Sequence, residues 1–163
     1  LVELLNTLRL SRIALHARTG KQQYKGHPDL EAFQGFYELC QHPLYYNGGI
    51  ESLSDIRQIL TRFPLLKGVF IGRGLLSSPL LAKEFKGNET FLPEQRMSIY
   101  FAFHEELFSA YSQVLQGETQ LLVKMKTLWE YFLPETDRKL LKRIKKSTRL
   151  QQYTESVKAI FTS

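Results

Sequence analysis

Gly68-Val69-Phe70-Ile71-Gly72-Arg73-Gly74-Leu75-Leu76-Ser77-Ser78-Pro79 joins a short apolar run to a Gly-Arg-Gly turn, then to a Ser-Pro pair that predicts the start of a short helix. A strand that runs directly into a glycine turn and a helix is a β/α unit, and parallel sheets bind ligands at that strand end. Two further units lie upstream. Pro43-Leu44-Tyr45-Tyr46 leads into Asn47-Gly48-Gly49, and Arg12-Ile13-Ala14-Leu15 leads into His16-Ala17-Arg18-Thr19. The stretches between them carry helical stripes: Leu30, Phe33, Phe36, Tyr37 and Cys40 in one, Leu53, Ile56, Leu60 and Phe63 in the next. Ser52 with Asp55 predicts a capping box at the second of these helices. The opening Leu1-Val2-Glu3-Leu4-Leu5 reads as a helix already under way, without an initiator Met, so further sequence is expected before it.

After Pro93 the apolar spacing becomes helical throughout. Tyr100, Phe103, Leu107, Tyr111 and Val114 predict one long helix closed by Gly117. Leu121, Met125, Leu128 and Phe132 predict a second, Leu140, Leu141 and Ile144 a short third. Thr148 with Gln151 predicts a capping box for a last helix striped by Leu150, Tyr153, Val157, Ile160 and Phe161. Four such helices suffice for a small bundle. The expected division is residues 1–90 for the β/α part and 91–163 for the helical part.

The 163 residues are 43% apolar and 23% charged, the composition of a globular protein. No apolar run approaches the roughly 18 residues of a membrane span, and no leader pattern opens the chain, so neither a membrane nor a secreted protein is expected. A single cysteine, Cys40, excludes an internal disulfide and a Cys-rich metal site; it suits a reducing compartment, the cytoplasm by default. Cys40 itself reads as a core residue on its helix stripe. The formal charge is +6, and residues 124–149 alone hold nine basic against three acidic side chains, the same net value. A polyanion is the partner such clustering suits.

The three strand ends carry the chemistry. Consecutive glycines in Asn47-Gly48-Gly49 allow backbone N–H groups to converge on an anion, although Asn-Gly is also a common turn. Gly72-Arg73-Gly74 adds close approach and a fixed positive charge. In a (β/α)8 barrel the loops after the last two strands frequently build a phosphate site, and these two turns fall one unit apart in that order. His16 and Arg18 are expected at the same mouth.

In this order the motifs resemble the tRNA-dihydrouridine synthases. His16-Ala17-Arg18-Thr19 with Tyr24-Lys25-Gly26, then Asn47-Gly48-Gly49, then Val69-Phe70-Ile71-Gly72-Arg73-Gly74 are similar to that family's successive strand ends, and Lys124-Met125-Lys126-Thr127-Leu128-Trp129 resembles its basic, Trp-containing helix. The resemblance implies the last three units of a TIM barrel followed by an all-α domain. It also implies FMN held by His16, Asn47, Gly48, Gly49, Gly72 and Arg73, and tRNA held by Arg18, Lys124, Lys126, Lys142, Lys145 and Lys146. The implied reaction is NADPH-dependent reduction of the C5=C6 bond of a tRNA uridine, with hydride from reduced FMN to C6 and a proton from a cysteine to C5. No residue here matches that cysteine or the family's flavin-contacting lysine, so the chain is expected to contain no catalytic residue and to be inactive alone. A barrel needs about 250 residues, and the β/α part here offers some 85. An open three-stranded sheet leaves edges to be paired by the rest of a barrel or a second copy. Two other readings share these residues: an FMN- or phosphate-binding barrel oxidoreductase acting on a small molecule, and a non-catalytic module that binds RNA or a partner chain. Tyr100, Phe101, Phe103, Phe108 and Tyr111 are candidates for base stacking, but their spacing makes most of them core.

Overall fold

The computed structural model describes residues 1–22 and 26–162. Tyr24 and Lys25, part of the first motif, lie outside the described residues. The chain divides into two compact units, Leu1–Leu75 and Leu76–Ser163. Among the described residues no helix is long and apolar enough to cross a membrane.

The first unit alternates helix and strand: α1 (Val2–Asn6), β1 (Ile13–His16), α2 (Leu30–Leu39), β2 (Leu44–Asn47), α3 (Leu53–Arg62) and β3 (Gly68–Phe70). The strands form one parallel sheet in the order β1-β2-β3. The first two begin and end one residue later than the apolar runs suggest, bringing His16 and Asn47 into the ladder as its last paired residues. The third stops at Phe70, one residue short of the apolar run.

Side chains alternate across a strand, and here the alternation separates core from open face. Leu44 and Tyr46 of β2 are buried under the helices. Phe33 of α2, fully buried, meets Tyr46 and Phe63 edge-on, each ring centroid at 4.9 Å. Ile56, Ile59 and Leu66 complete this core. Ile59, absent from the expected stripe, is buried, whereas Leu60 is half-buried: the stripe of α3 is rotated by one residue. Cys40 is not a core residue. It is the half-buried C-cap of α2, its Sγ 3.7 Å from the His42 carbonyl oxygen. The Ser52–Asp55 capping box forms as expected. On the opposite face Ala14, His16 and Phe70 are exposed and Tyr45 and Asn47 half-buried.

The second unit contains α5 (Leu81–Gly87), α6 (Pro93–Val114), α7 (Gly117–Leu128), α8 (Arg138–Lys146) and α9 (Leu150–Phe161); α4 (Arg73–Ser77) runs through the division between units. Ser78-Pro79 does not cap a helix. It links α4 to α5, and the Ser78 hydroxyl lies 2.7 Å from the Tyr100 hydroxyl instead. Val114 is 72% exposed and leaves the expected stripe, and α6 ends there, before Gly117, which opens α7 with a left-handed φ of 82°. Phe132 is fully buried although it lies beyond the end of α7. The last capping interaction is shifted by one: the side-chain Oε1 of Gln152, not of Gln151, accepts from the Thr148 backbone N–H.

A polar cluster sits inside this core. The His104 imidazole, 1% exposed, places Nε2 2.6 Å from the Tyr153 hydroxyl, and the Trp129 indole N–H donates to that same oxygen at 2.9 Å. The Tyr153 O–H then donates to His104 Nε2, and Nδ1–H faces the Glu105 carboxylate at 3.1 Å. Burial holds the His104 pKa below its ordinary value against the opposing pull of Glu105, and burial raises that of Tyr153. In the unfolded chain His104 takes up its proton near pH 6.5, whereas the folded protein resists it. Stability is therefore complete above that pH and falls as pH drops below it. Urea midpoints at pH 8 and pH 5.5 should show this loss, and His104→Gln should flatten the dependence.

Candidate functional site

The register brings three unlike side chains to one line. His16 pairs with Asn47 and Asn47 with Phe70, so the last residues of all three strands stand side by side. Just beyond them His16, Asn47, Gly48, Gly49, Ile50, Glu51, Phe70, Gly72 and Arg73 enclose a cleft of about 180 Å³. All six residues expected to hold a cofactor thus meet in one place. Phe70, Ile50 and Glu51 join them; sequence alone assigned Phe70 to a strand, and only the pairing register puts it at the rim.

Glycine is required at one point of this cleft and at one beside it. Gly48 adopts φ 137°, and a Cβ there would lie 2.8 Å from the His16 ring and 3.1 Å from Pro28. The imidazole packs directly against the glycine backbone, and a side chain at 48 would displace it. Gly74, the second residue of α4, approaches the turn after β2 so closely that a Cβ would fall 2.3 Å from the Ile50 carbonyl oxygen. This contact clamps the two glycine turns together. Gly72 has open space where its Cβ would be, so a ligand can reach its backbone.

Glycine backbone that an anion can approach, the Arg73 guanidinium and room enough for the group suit the cleft to a phosphate monoester, with Glu51 an acidic residue on the same lining. The N-terminus of α3 contributes less than its position suggests. Its Asp55 carboxylate already accepts from the Glu51 and Ser52 backbone N–H groups at 2.9 and 2.8 Å. Arg18 does not line the cleft. Its guanidinium donates to the Gly26 carbonyl oxygen at 2.8 Å, within the loop that follows β1.

In the second unit, Asp137 caps α8 by accepting from the Lys139 and Leu140 N–H groups, while Ile144 is buried on its inner face. The outer face is basic. Lys139, Lys142, Arg143 and Lys146, spaced i, i+3, i+4 and i+7, line a groove of about 460 Å³ with Gln152 and Glu155 of α9. Of the lysines expected on RNA, Lys142 and Lys146 lie in this groove and Lys145 is exposed beside it. The other two are engaged within the protein. Lys126 Nζ donates to the Ser147 carbonyl oxygen at 2.7 Å, and Lys124 Nζ lies 5.4 Å from the centre of the Tyr111 ring. Lys139 and Arg143 were missed as individual site residues, although the helix spacing of the basic run groups them with Lys142 and Lys146. Among the aromatic residues considered for stacking, Tyr100 is buried against Phe132, and Phe103, Phe108 and Tyr111 pack against the core.

Comparison with known proteins gives this arrangement a context. A family described as dihydrouridine synthase matches residues 3–162. A probable tRNA-dihydrouridine synthase of Aquifex aeolicus (strain VF5) is 34% identical over 86 residues, covering 53% of this chain and 27% of that protein. A probable tRNA-dihydrouridine synthase of Rhizobium leguminosarum bv. phaseoli is 36% identical over 67 residues, 41% of this chain and 21% of the relative. The chain thus matches only about a quarter of the length of each of these curated relatives. With the family match running almost from end to end, and the sheet, turns and helices in the order described, the chain belongs to the dihydrouridine synthase family.

Proposed function

We propose that these 163 residues supply the phosphate-holding rim of an FMN site and the RNA-holding helices of an enzyme that reduces tRNA uridine to 5,6-dihydrouridine with NADPH. The observation that carries this reading is the convergence of His16, the Asn47–Gly49 turn, Gly72 and Arg73 on one cleft. In this reading Gly48, Gly49 and Gly72 offer backbone to the phosphate, Arg73 supplies the fixed positive charge, and His16 and Asn47 stand at the flavin side. FMN, when bound, supplies the hydride-transfer chemistry. The proton-donating cysteine belongs to barrel sequence outside these residues, so the chain by itself is inactive, and the remaining barrel strands or a second copy pair with the sheet. The first unit then forms the barrel portion and the second, which begins at residue 76 and not at the expected 91, carries the tRNA-binding helices, in a cytoplasmic enzyme.

Backbone amide NMR during titration with inorganic phosphate, then FMN, tests the cleft. Residues 47–50 and 72–74 should shift together with either ligand, and Arg73→Ala should abolish the response. Unchanged amides in both turns would remove the reading.

For RNA, the basic face of α8 is the assigned surface. Each phosphate contact contributes about 0.7–0.9 to the slope of log K against log salt. Lys142→Ala with Lys146→Ala should lower tRNA affinity and reduce that slope by about 1.5. Lys126→Met should instead lower stability and leave the slope unchanged, because its ammonium serves the Ser147 carbonyl. Equal slopes for the double variant and the parent would reject α8 as the RNA face.

A further inference from the structure

Phe70 is out of keeping with an anion cradle. Its ring is 44% exposed on the open face of the sheet and lines the same cleft as Gly72 and Arg73. The ring is nonetheless held in place. Tyr45, two residues before Asn47 on the same face, meets it edge-on with centroids 5.6 Å apart and planes at 76°. Tyr45 in turn lies over Gly68, its register partner, where a Cβ would stand 3.4 Å from two carbons of the tyrosine ring. Glycine, tyrosine and phenylalanine form a stack that positions one apolar ring beside a phosphate-sized cleft. The ring's fixed placement next to the polar groups of the cleft suits a ligand that is itself part anion and part flat apolar body.

We propose that Phe70 is a specificity-determining residue of the cleft, giving apolar contact to the part of the bound flavin that is not phosphate and favouring FMN over a bare phosphate. The proposal rests on the reading of the cleft as an FMN site and adds a residue to it. Apolar and polar recognition are then carried by neighbouring residues of one segment: Phe70 for the organic body, Gly72 and Arg73 for the phosphate. Tyr45 acts through Phe70 and is a positioning residue.

The test compares two probes, inorganic phosphate and FMN, on the full chain and on Phe70→Ala and Phe70→Leu. With FMN, the Phe70 ring protons should shift and show nuclear Overhauser contacts to flavin protons; with phosphate they should not. An aromatic contact worth about 0.5–1.5 kcal/mol corresponds to a two- to twelvefold weaker FMN affinity in Phe70→Leu, with phosphate affinity unchanged. Phe70→Ala should lose more. Phe70→Leu preserves apolar bulk, so it keeps the test intact if the alanine variant folds poorly. FMN that shifts the two glycine turns but leaves Phe70 silent, or variants that weaken both probes equally, would overturn the role of Phe70 while sparing the cleft. Glycine turns that respond to neither probe would overturn the FMN reading and this proposal together.

Discussion

Gly74→Ala is expected to cost about 2–3 kcal/mol of stability and to abolish phosphate binding at the cleft. The added Cβ would fall 2.3 Å from the Ile50 carbonyl oxygen and 3.1 Å from the Glu51 Cα, and both are backbone atoms that cannot rotate away. Either α4 or the turn after β2 must move, and with it goes the alignment of Arg73 with Gly48 and Gly49. Gly72→Ala is the contrasting variant. Its Cβ meets nothing within 4 Å, so urea unfolding should be unchanged while phosphate-induced amide shifts are lost, because the methyl occupies the ligand's approach. Unfolding curves and phosphate titrations on both variants separate a clamp from a contact surface. A Gly74→Ala protein with unaltered stability would show that the two turns are not held by this approach.

Tyr153→Phe is expected to cost about 2–6 kcal/mol. Its hydroxyl serves two buried partners, accepting from the Trp129 indole N–H and donating to His104 Nε2. Removing it leaves both polar atoms without a partner in a site nearly closed to water, at about 1–3 kcal/mol for each. Trp129 is the protein's one tryptophan and is 2% exposed, so its fluorescence reports directly on this cluster during urea unfolding. A midpoint within experimental scatter of the parent would mean that water or a shifted side chain replaces the hydroxyl.

Much of this architecture was legible in the sequence because apolar spacing reflects which face of an element is buried. The three strand runs, the stripe of α9, that of α2 apart from Cys40 and the Ser52–Asp55 box all follow from local pattern and local hydrogen bonding. The clustering of His16, Asn47, Gly48, Gly49, Gly72 and Arg73 was also readable, because parallel strands in register deliver their ends to the same side. What escaped depended on contacts between distant residues. Nothing near Lys126 signals that its ammonium reaches the Ser147 carbonyl, and a lysine in a basic run looks like its neighbours until its partner is known. His104 lies between exposed-looking Glu105 and Glu106 and the apolar Phe103, and its burial follows only from Tyr153, 49 residues away. Phe70 looked like one more apolar strand residue because its role depends on pairing with Asn47.

The parallel register of β2 ties interior and rim to the same count of residues. Losing one residue from Leu44-Tyr45-Tyr46-Asn47 would swing Tyr46 outward and turn the amide of Asn47 toward Phe33, exchanging hydrocarbon for polarity on both sides at once. Insertions and deletions are therefore forbidden in this strand even where point substitutions are tolerated, so any diversification of the pocket has to proceed by replacing side chains or by lengthening the turn after Asn47.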